Sequence, residues 1–392
     1  MVTAYPPGPP ARPPRSRGQR ALRYTPLVLL ALVCIAALVL GVSAKWIGAR
    51  HPIPESTPAG DAVSDACTPP VAAPASEPWL AGDGSAEKVW QEHSEELSKP
   101  YIQGPNGWTF WGDYVDQYAS QAVGRATLTQ TQISAWVSYF STLQRDLAAS
   151  GADLQIVITP STSSVYPEEL PTWMQELRGS TPADQFMSQA SGLPVIDLRQ
   201  KLIDAKTDDV HLFSWSNSHW TDYGGYIGWK QIADCINARH PVAAALRVPA
   251  ISGHKVIGDF NEWASYGVAS PGEDWAAPVF ADQLEDVTYT DKSGATVTGP
   301  GSTVIDSSVL PVTTQVAASW TGKSALVVRD SMGGAISPYL DQAYSPTWQV
   351  ANQFGAADPL DVRALVAQHH PGVVIIQFAE RHLISPPASA GG

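Results

Sequence analysis

The segment FSWSNSHWTDYGGY, residues 213–226, contains a histidine with a polar neighbour at a chemically useful spacing. Asn217 precedes His219 by two residues, and alternate residues of an extended segment point to the same side. The Asn217 side chain can therefore hold the imidazole of His219 by a hydrogen bond. A histidine held in this way suits general-base catalysis, while a structural histidine is the simpler interpretation of this segment alone.

The segment VVRDSMGGAISPYL, residues 327–340, could supply the matching nucleophile. Its pattern predicts a strand that ends at Val328, a turn at Ser331 and then a helix. Binding sites of parallel α/β sheets lie at the carboxyl ends of strands. The amides of Ser331, Met332 and Gly333 could stabilise an oxyanion there. The alternative is a serine that only caps a helix.

Taken together, the two segments favour a serine nucleophile with a histidine base, because a serine hydroxyl needs a base to remove its proton. The sequence contains no H-E-x-x-H pair, no Cys/His set with zinc spacing and neither glycine-rich nucleotide fingerprint. We therefore expect no metal ion and no cofactor.

The ordered set of segments resembles the alginate O-acetyltransferase type (AlgX/AlgJ-like) of the SGNH hydrolase superfamily. Members of that family have a circularly permuted order, with an Asp-x-His-Trp block before a Gly-Asp-Ser block. The resemblance covers roughly residues 100–385. Besides the two segments above, it rests on GPNGWTFWGD (104–113), ITPSTSSVYPEELP (158–171), IGDFNEW (257–263) and VVIIQFAERHL (373–383).

The resemblance implies a flavodoxin-like α/β sandwich around a parallel sheet, and serine-dependent transfer of acetyl groups to hydroxyls of an exported polysaccharide. Carried over by position, Ser331 is the nucleophile, His219 is the general base and Asn217 stands where the family has its Asp. The chain departs from the family at two further positions. Thr162 stands where a lysine is expected, and Arg329 replaces the glycine before Asp-Ser.

Asn217 leaves three alternatives open. An amide can orient the ring but carries no charge to stabilise an imidazolium, and the same exchange in a serine protease cost about 10⁴ in kcat. The protein could work as a Ser-His pair oriented by Asn217, or use Asp222, the nearest carboxylate in sequence, as a substitute acid. It could also be a catalytically weak, glycan-binding scaffold of an export complex.

Two further expectations concern the substrate. Trp215 and Trp220 flank the histidine and are candidate contacts for a glycan, since tryptophan faces can stack on sugars. An esterase that uses water as the acceptor would need the same catalytic residues, so the sequence does not separate it from a transferase.

Charge argues against a nucleic-acid partner. The chain has 24 basic and 37 acidic residues, and six of the basic ones lie within residues 1–46, which contain no acid. The remainder therefore carries a net charge near −19. Such a surface repels polyanions and suits a neutral partner or substrate.

An uncharged apolar run, residues 25–44, is long enough to span a bilayer as a helix. Five arginines precede it, which predicts a cytoplasmic N-terminus and an extracytoplasmic remainder. A cleaved signal peptide ending at VSA is the alternative, but the run exceeds the usual apolar core of about 7–15 residues. We expect a single-pass anchor in the cell membrane.

The segments outside the main domain show no helical or strand periodicity. Residues 1–23 are rich in Arg and Pro and are predicted to be a disordered cytoplasmic tail. Residues 47–85 are predicted to be a Pro/Ala-rich linker, and residues 386–392 a tail. Beyond the anchor the only cysteines are Cys67 and Cys235. An oxidising location would allow a disulfide between them, although spacing alone cannot establish proximity.

Within residues 100–385, short apolar strands alternate with helical patterns. The strands LQIVI, PVIDL, SALVV and VVIIQF, separated by helices, predict a parallel sheet with both faces covered. Residues 240–320 break the pattern and are predicted to be an insertion with some strand content. No acetyl-CoA motif is visible. We therefore expect a polytopic membrane acyltransferase as the partner that donates acetyl, and a polysaccharide as the acceptor.

Overall fold

A computed structural model describes residues 66–241, 245–354 and 360–387. The predicted cytoplasmic tail and membrane span, and residues 47–65 of the predicted linker, lie outside the described residues. In the part of the chain that is described, none of the helices has both the length and the apolar character needed to cross a membrane.

Strands and helices alternate through most of the described chain. The strands are β1 (Tyr101–Gln103), β2 (Thr109–Trp111), β3 (Asp153–Thr159), β4 (Val195–Asp197), β5 (Ile251–Val256), β6 (Ala276–Phe280), β7 (Val287–Thr290), β8 (Thr296–Gly299), β9 (Val312–Gln315), β10 (Ala325–Arg329), β11 (Thr347–Ala351) and β12 (Val373–Ala379). The α-helices are α1 (Ser85–Glu92), α2 (Ser94–Leu97), α3 (Tyr118–Ala122), α4 (Gln130–Ala149), α5 (Thr162–Val165), α6 (Thr172–Glu176), α7 (Pro182–Gln189), α8 (Arg199–Asp204), α9 (Asp222–Arg239), α10 (Ser337–Ala343) and α11 (Val362–His369).

The main sheet has the strand order β4-β3-β12-β10-β11-β9-β7-β8. The first five strands are parallel to one another. The predicted α/β fold with a central, mostly parallel sheet is therefore confirmed. The carboxyl ends of β10, β12 and β3 lie side by side, and this is the edge at which a parallel sheet places its site.

Helices pack on both faces of this sheet because alternate residues of its strands point in opposite directions. Ile376 and Phe378 of β12 belong to a core that includes α4, where the rings of Trp136 and Phe378 are stacked 5.2 Å apart. Ile375 belongs to a second core that includes Trp229 of α9. Both cores are buried, and they hold the ends of the parallel strands in fixed positions.

The region predicted to be an insertion extends the sheet. β9 pairs antiparallel with β11, β7 with β9 and β8 with β7. β5 and β6 pair separately as a two-stranded sheet. The strand content expected within residues 240–320 includes β7 (VTYT) and β8 (TVTG), so this region contributes to the domain's main sheet.

Residues 66–85 are attached to the domain, which differs from their expected role as part of a linker. A disulfide joins Cys67 to Cys235 of α9. The indole N–H of Trp79 donates a 2.8 Å hydrogen bond to the carbonyl of Val123. Both contacts fasten this segment to the same side of the fold as α9.

Candidate active site

The segment that carries the histidine is a closed turn, not the extended strand that the Asn-x-His spacing suggested. Phe213 and Trp220 form an isolated antiparallel bridge, and the Ser214 amide donates to the His219 carbonyl at 3.3 Å. Residues between them reverse direction. The contact between Asn217 and His219 is therefore made inside a loop.

His219 and Ser331 meet at the carboxyl end of β10. The imidazole Nε2 of His219 lies 2.8 Å from the Oγ of Ser331. The indole N–H of Trp220 donates to the Met332 carbonyl at 2.7 Å, which joins the two segments a second time. The sequence-predicted nucleophile and base are thus within hydrogen-bond distance, although 112 residues separate them.

A close contact between helices fixes this meeting. Gly225 of α9 lies against Ala335, and a Cβ at position 225 would come within 2.5 Å of the Ala335 Cβ. Only glycine lets the two backbones approach so closely. The helix that follows the histidine is therefore seated directly on the residues that follow the serine.

The amide of Asn217 can adopt only one orientation. Its Oδ1 accepts from the His219 backbone N–H at 3.0 Å, and its Nδ2 donates to the Phe260 carbonyl at 2.6 Å. A flipped amide would place a donor against a donor and an acceptor against an acceptor. Oδ1 therefore faces the Nδ1 of His219, which is 2.7 Å away.

This orientation decides the tautomer of His219. Because Oδ1 of Asn217 is an acceptor, the Nδ1 of His219 must carry the proton. The Nε2 atom is then free to accept the proton of Ser331. An asparagine in the acid position is damaging when it selects the wrong tautomer; here the Phe260 carbonyl makes it select the productive one.

A carboxylate that the sequence analysis did not single out lies beside the ring. Oε2 of Glu262 is 3.6 Å from Nδ1 of His219, and the two side chains are 20% and 28% exposed. Glu262 belongs to the IGDFNEW segment, on which the resemblance rested without a role.

Asp222 does not take the place of the acid. It is the first residue of α9, its side chain is hydrogen-bonded to Trp275, and burial raises its pKa. The structure shows no hydrogen bond or ion pair between Asp222 and His219. The expectation of Asp222 as a substitute acid is therefore wrong, because the start of α9 directs it elsewhere.

Asp330 controls the turn before the serine. Its Oδ1 accepts from the Met332 amide at 2.9 Å, and its Oδ2 accepts from the Ala379 amide at 2.6 Å. The Gly333 amide donates to the Asp330 carbonyl at 3.2 Å. The amides of Met332 and Gly333 already have partners, so the expected oxyanion site narrows to the amide of Ser331.

Arg329, at the position before Asp330 where a glycine was expected, forms hydrogen bonds that support the turn at Asp330 and Ser331. It is fully buried, and its guanidinium donates to Gln349 at 2.8 Å, to the Ile305 carbonyl at 2.6 Å and to the Asp330 carbonyl at 3.2 Å. Burial lowers the pKa of Arg329 to about 10. The side chain joins two parallel strands to the antiparallel extension behind the serine.

The two candidate glycan contacts differ. Trp220 is 1% exposed and packs in the core, so its expected role as a sugar platform is wrong. Trp215 is half-buried, with its ring 4.9 Å from that of His211. Its role toward a glycan stays a prediction. Among the described residues, no group of three His, Cys, Asp or Glu side chains could hold a metal ion.

The sequence matches a family model described as ALGX, the SGNH hydrolase-like domain of acetyltransferase AlgX, over residues 101–379. No curated protein matches the chain significantly.

Among solved structures, Bacillus cereus PatB1 has a TM-score of 0.55 and 15% sequence identity, and the match covers 72% of this chain and 96% of PatB1. A second structure, PatB1 with a sulfonyl adduct, has a TM-score of 0.54 and 14% identity, over 74% of this chain and 100% of PatB1. At these identities the likeness shows the fold alone. The O-acetyltransferase domain of Pseudomonas putida AlgJ gives a TM-score of 0.44 at 15% identity, covering 74% of this chain and 93% of that domain.

Proposed function

The chain belongs to the ALGX family of SGNH hydrolase-like acetyltransferase domains, and from this premise we propose that it moves acetyl groups through Ser331 onto hydroxyls of an exported or cell-surface polysaccharide. The observation that carries the proposal is the 2.8 Å contact between the Nε2 of His219 and the Oγ of Ser331. The oriented Asn217 supports it, because it leaves that nitrogen unprotonated.

In the first step, the Oγ of Ser331 attacks the carbonyl carbon of an acetyl ester or thioester while His219 removes its proton. The bond between the carbonyl carbon and the leaving oxygen or sulfur then breaks. That leaving group takes the proton from the imidazolium. The products are acetyl-Ser331 and the deacetylated donor, and His219 is neutral again.

In the second step, a sugar hydroxyl attacks the carbonyl carbon of acetyl-Ser331 and gives its proton to His219. The ester bond to Oγ breaks, and the imidazolium returns the proton to Ser331. The oxyanion of both tetrahedral intermediates would accept a hydrogen bond from the Ser331 amide, which has no partner among the described residues. The acetyl group ends on the glycan and the site is regenerated.

The proposal includes a location and two partners. The apolar run over residues 25–44 supports a single-pass anchor with the domain outside the cytoplasm. The disulfide between Cys67 and Cys235 supports an oxidising compartment. Since acetyl-CoA is cytoplasmic, the donor would be a polytopic membrane acyltransferase, and the acceptor a neutral polysaccharide suited to the acidic domain.

The test uses the purified full-length protein with a chromogenic acetyl ester. We expect acetyl release that Ser331→Ala and His219→Ala each reduce by at least about 10³-fold, and an acetyl adduct on Ser331 seen by intact mass. Ser134→Ala, at an exposed position of α4, is the matched serine control and should leave the rate unchanged.

Three results would overturn the proposal. Equal turnover by the wild type and Ser331→Ala would remove the serine from the chemistry. Turnover without any acetylation of an added neutral oligosaccharide, with all acetyl released to water, would assign the same residues to an esterase. Glycan binding without an adduct or turnover would instead identify a scaffold.

A further inference from the structure

Glu262 is held in a fixed position by its neighbours. Its backbone N–H donates to the Ser216 carbonyl at 3.1 Å, inside the loop that carries the histidine. On one side, Asn261 donates to the Val268 carbonyl and accepts from the Trp263 amide, both at 2.9 Å. On the other side, the Phe260 carbonyl accepts from Asn217.

The carboxylate of Glu262 lacks a conventional partner. Its Oε1 is buried without a hydrogen bond to any described residue. Its Oε2 is 3.6 Å from the Nδ1 of His219, too far for a strong hydrogen bond but close enough for charge to act. A partly buried carboxylate beside a ring that becomes positive during each proton transfer is placed to stabilise that charge.

We propose that the acid of this site is divided between two residues: Asn217 accepts the hydrogen bond that orients His219, and Glu262 supplies the negative charge that stabilises its imidazolium. The inference rests on the proposed serine chemistry and adds a positioning residue to it. An aspartate would perform both tasks with one side chain. Here the hydrogen bond comes from Asn217, in the same turn as His219, and the charge comes from Glu262, in a different segment.

Other charged groups near the histidine loop have different partners. Asp259 accepts from the Ser216 hydroxyl at 3.3 Å. Asp274 accepts from the Ser214 hydroxyl at 3.0 Å and from the Trp215 amide at 2.6 Å. Asp330 faces the Met332 and Ala379 amides. Of these carboxylates, only that of Glu262 lies within ion-pair distance of a ring nitrogen of His219, at 3.6 Å.

The test compares pH–rate profiles of ester turnover by the full-length wild type and Glu262→Gln, which keeps shape and removes charge. If Glu262 acts by charge, the neutral ring becomes the favoured form at lower pH in the variant. We therefore expect the acidic midpoint to move down by about one pH unit and the plateau rate to fall about tenfold, because one interaction energy governs both.

A distinctive consequence is that the two profiles converge at acidic pH and separate at alkaline pH. Below the midpoint pH, the ring of His219 is already protonated before the reaction. The charge of Glu262 then stabilises the ground state as much as the transition state, so it does not raise the rate. A variant that merely misplaced His219 would lose rate equally at every pH. Glu262→Asp, which keeps the charge on a shorter side chain, should lie between the two.

Asp259→Asn is the matched control, since it removes an equal charge from the same segment but from an exposed side chain. A Glu262→Gln profile that superimposes on the wild type, a parallel loss without a midpoint shift, or an identical shift in Asp259→Asn would each overturn the inference. Ser331→Ala in the same assay separates the two proposals. If Ser331→Ala is fully active, the serine chemistry itself fails; if it is inactive while Glu262→Gln is normal, only the role of Glu262 fails.

Discussion

The two segments that close on His219 are built in different ways. Residues 330–334, the serine turn, follow the buried strand β10 and are tied to β12 through Asp330. Residues 257–263, the acidic loop, lie outside the main sheet, and their Phe260 side chain is 50% exposed. The loop is anchored at one end by the fully buried Trp263, whose ring centroid is 4.3 Å from that of Trp111.

This difference indicates which parts of the site can vary. The serine turn shares its hydrogen bonds with the core, so a change there affects folding and chemistry together. The acidic loop reaches Asn217 through the carbonyl of Phe260 and His219 through the carboxylate of Glu262. With the role proposed for Glu262, the sequence of this loop can change the electrostatics of His219 without disturbing the sheet.

The largest expected effect comes from breaking the serine turn with Asp330→Ala. The substitution removes the acceptor of the Met332 and Ala379 amides and of the Gln377 side chain, which donates to Asp330 at 3.0 Å. Since each buried donor left unpaired costs about 1–3 kcal/mol, we expect the free energy of unfolding to fall by about 3–5 kcal/mol. Ester turnover should fall by at least about 100-fold, because Ser331 loses its fixed position.

Denaturant unfolding and ester turnover, measured on the same preparation, check this prediction. The control is Asp306→Ala, because Asp306 also caps a 3-10 helix by accepting from the Ser308 amide but is exposed. It should cost only about 1 kcal/mol and leave activity intact. If Asp330→Ala were as mild as Asp306→Ala, the serine turn would not be coupled to the core.

A smaller and more selective effect is expected in the acidic loop. Asn261→Ala removes the hydrogen bonds to the Val268 carbonyl and from the Trp263 amide. We expect about 1–2 kcal/mol of lost stability and about a tenfold loss of turnover, since the Phe260 carbonyl and Glu262 would no longer be held against the histidine.

The informative quantity is the loss of turnover relative to the loss of unfolding free energy in each variant. Asn261→Ala should reduce turnover more than its stability loss alone would suggest, whereas Asp330→Ala should reduce both strongly. Ser265→Ala, an exposed neighbour in the 3-10 helix Ala264–Tyr266, is the control for general loop damage. Unchanged turnover in Asn261→Ala at normal stability would show that the acidic loop does not support the site.

The contrast also explains what could be predicted from the sequence. β3, β4, β10 and β12 were recognisable because buried parallel strands have continuous apolar runs. Ser331 was recognisable because it follows the apolar strand β10. His219 was recognisable because it lies just before α9 and two residues after Asn217. β11 was not anticipated, since Thr347 and Gln349 are polar; the structure buries both beside Asp341.

The missed features depend on contacts between distant residues. Glu262 and His219 are 43 residues apart, and Glu262 lies in a stretch with no periodic pattern. The sequence indicated it only as part of the IGDFNEW segment, without a role. The error on the oxyanion amides had a local signal, because an aspartate two residues before an amide commonly accepts from it in an Asx turn. The error on Trp220 came from expecting an exposed loop where the side chain packs against Gly228.

Behind the serine turn, one buried carboxylate joins the parallel strands to the antiparallel extension. Asp341 of α10 accepts from Thr314 of β9 at 2.7 Å and from Gln349 of β11 at 2.9 Å. Burial raises its pKa to about 6, and its Oδ2 has no hydrogen-bond partner among the described residues. The charged form is therefore disfavoured in the folded protein, compared with a usual pKa of about 3.9.

The smallest expected effect is that of Asp341→Asn, which keeps the acceptor oxygen and removes the charge. A raised folded-state pKa means that the stabilising contribution of Asp341 is fully present below about pH 4 and is lost as the pH rises through about 6. The variant lacks this loss. We expect it to match the wild type near pH 4 and to exceed it by about 1 kcal/mol at pH 7.5, a gain limited because Arg329 loses a nearby opposite charge.

Unfolding free energies of both proteins across pH 4–8 test this, with Asp306→Asn as a control of opposite sign. Hydrogen bonds from Ser308 lower the pKa of Asp306, so its contribution is present at neutral pH and is lost as the pH falls. Asp306→Asn should therefore be less stable than the wild type at pH 7.5 and approach it at low pH. A loss of stability in Asp341→Asn at pH 7.5 would show that the buried carboxylate is needed as a charge beside Arg329, and that the parallel and antiparallel parts of the sheet are joined electrostatically.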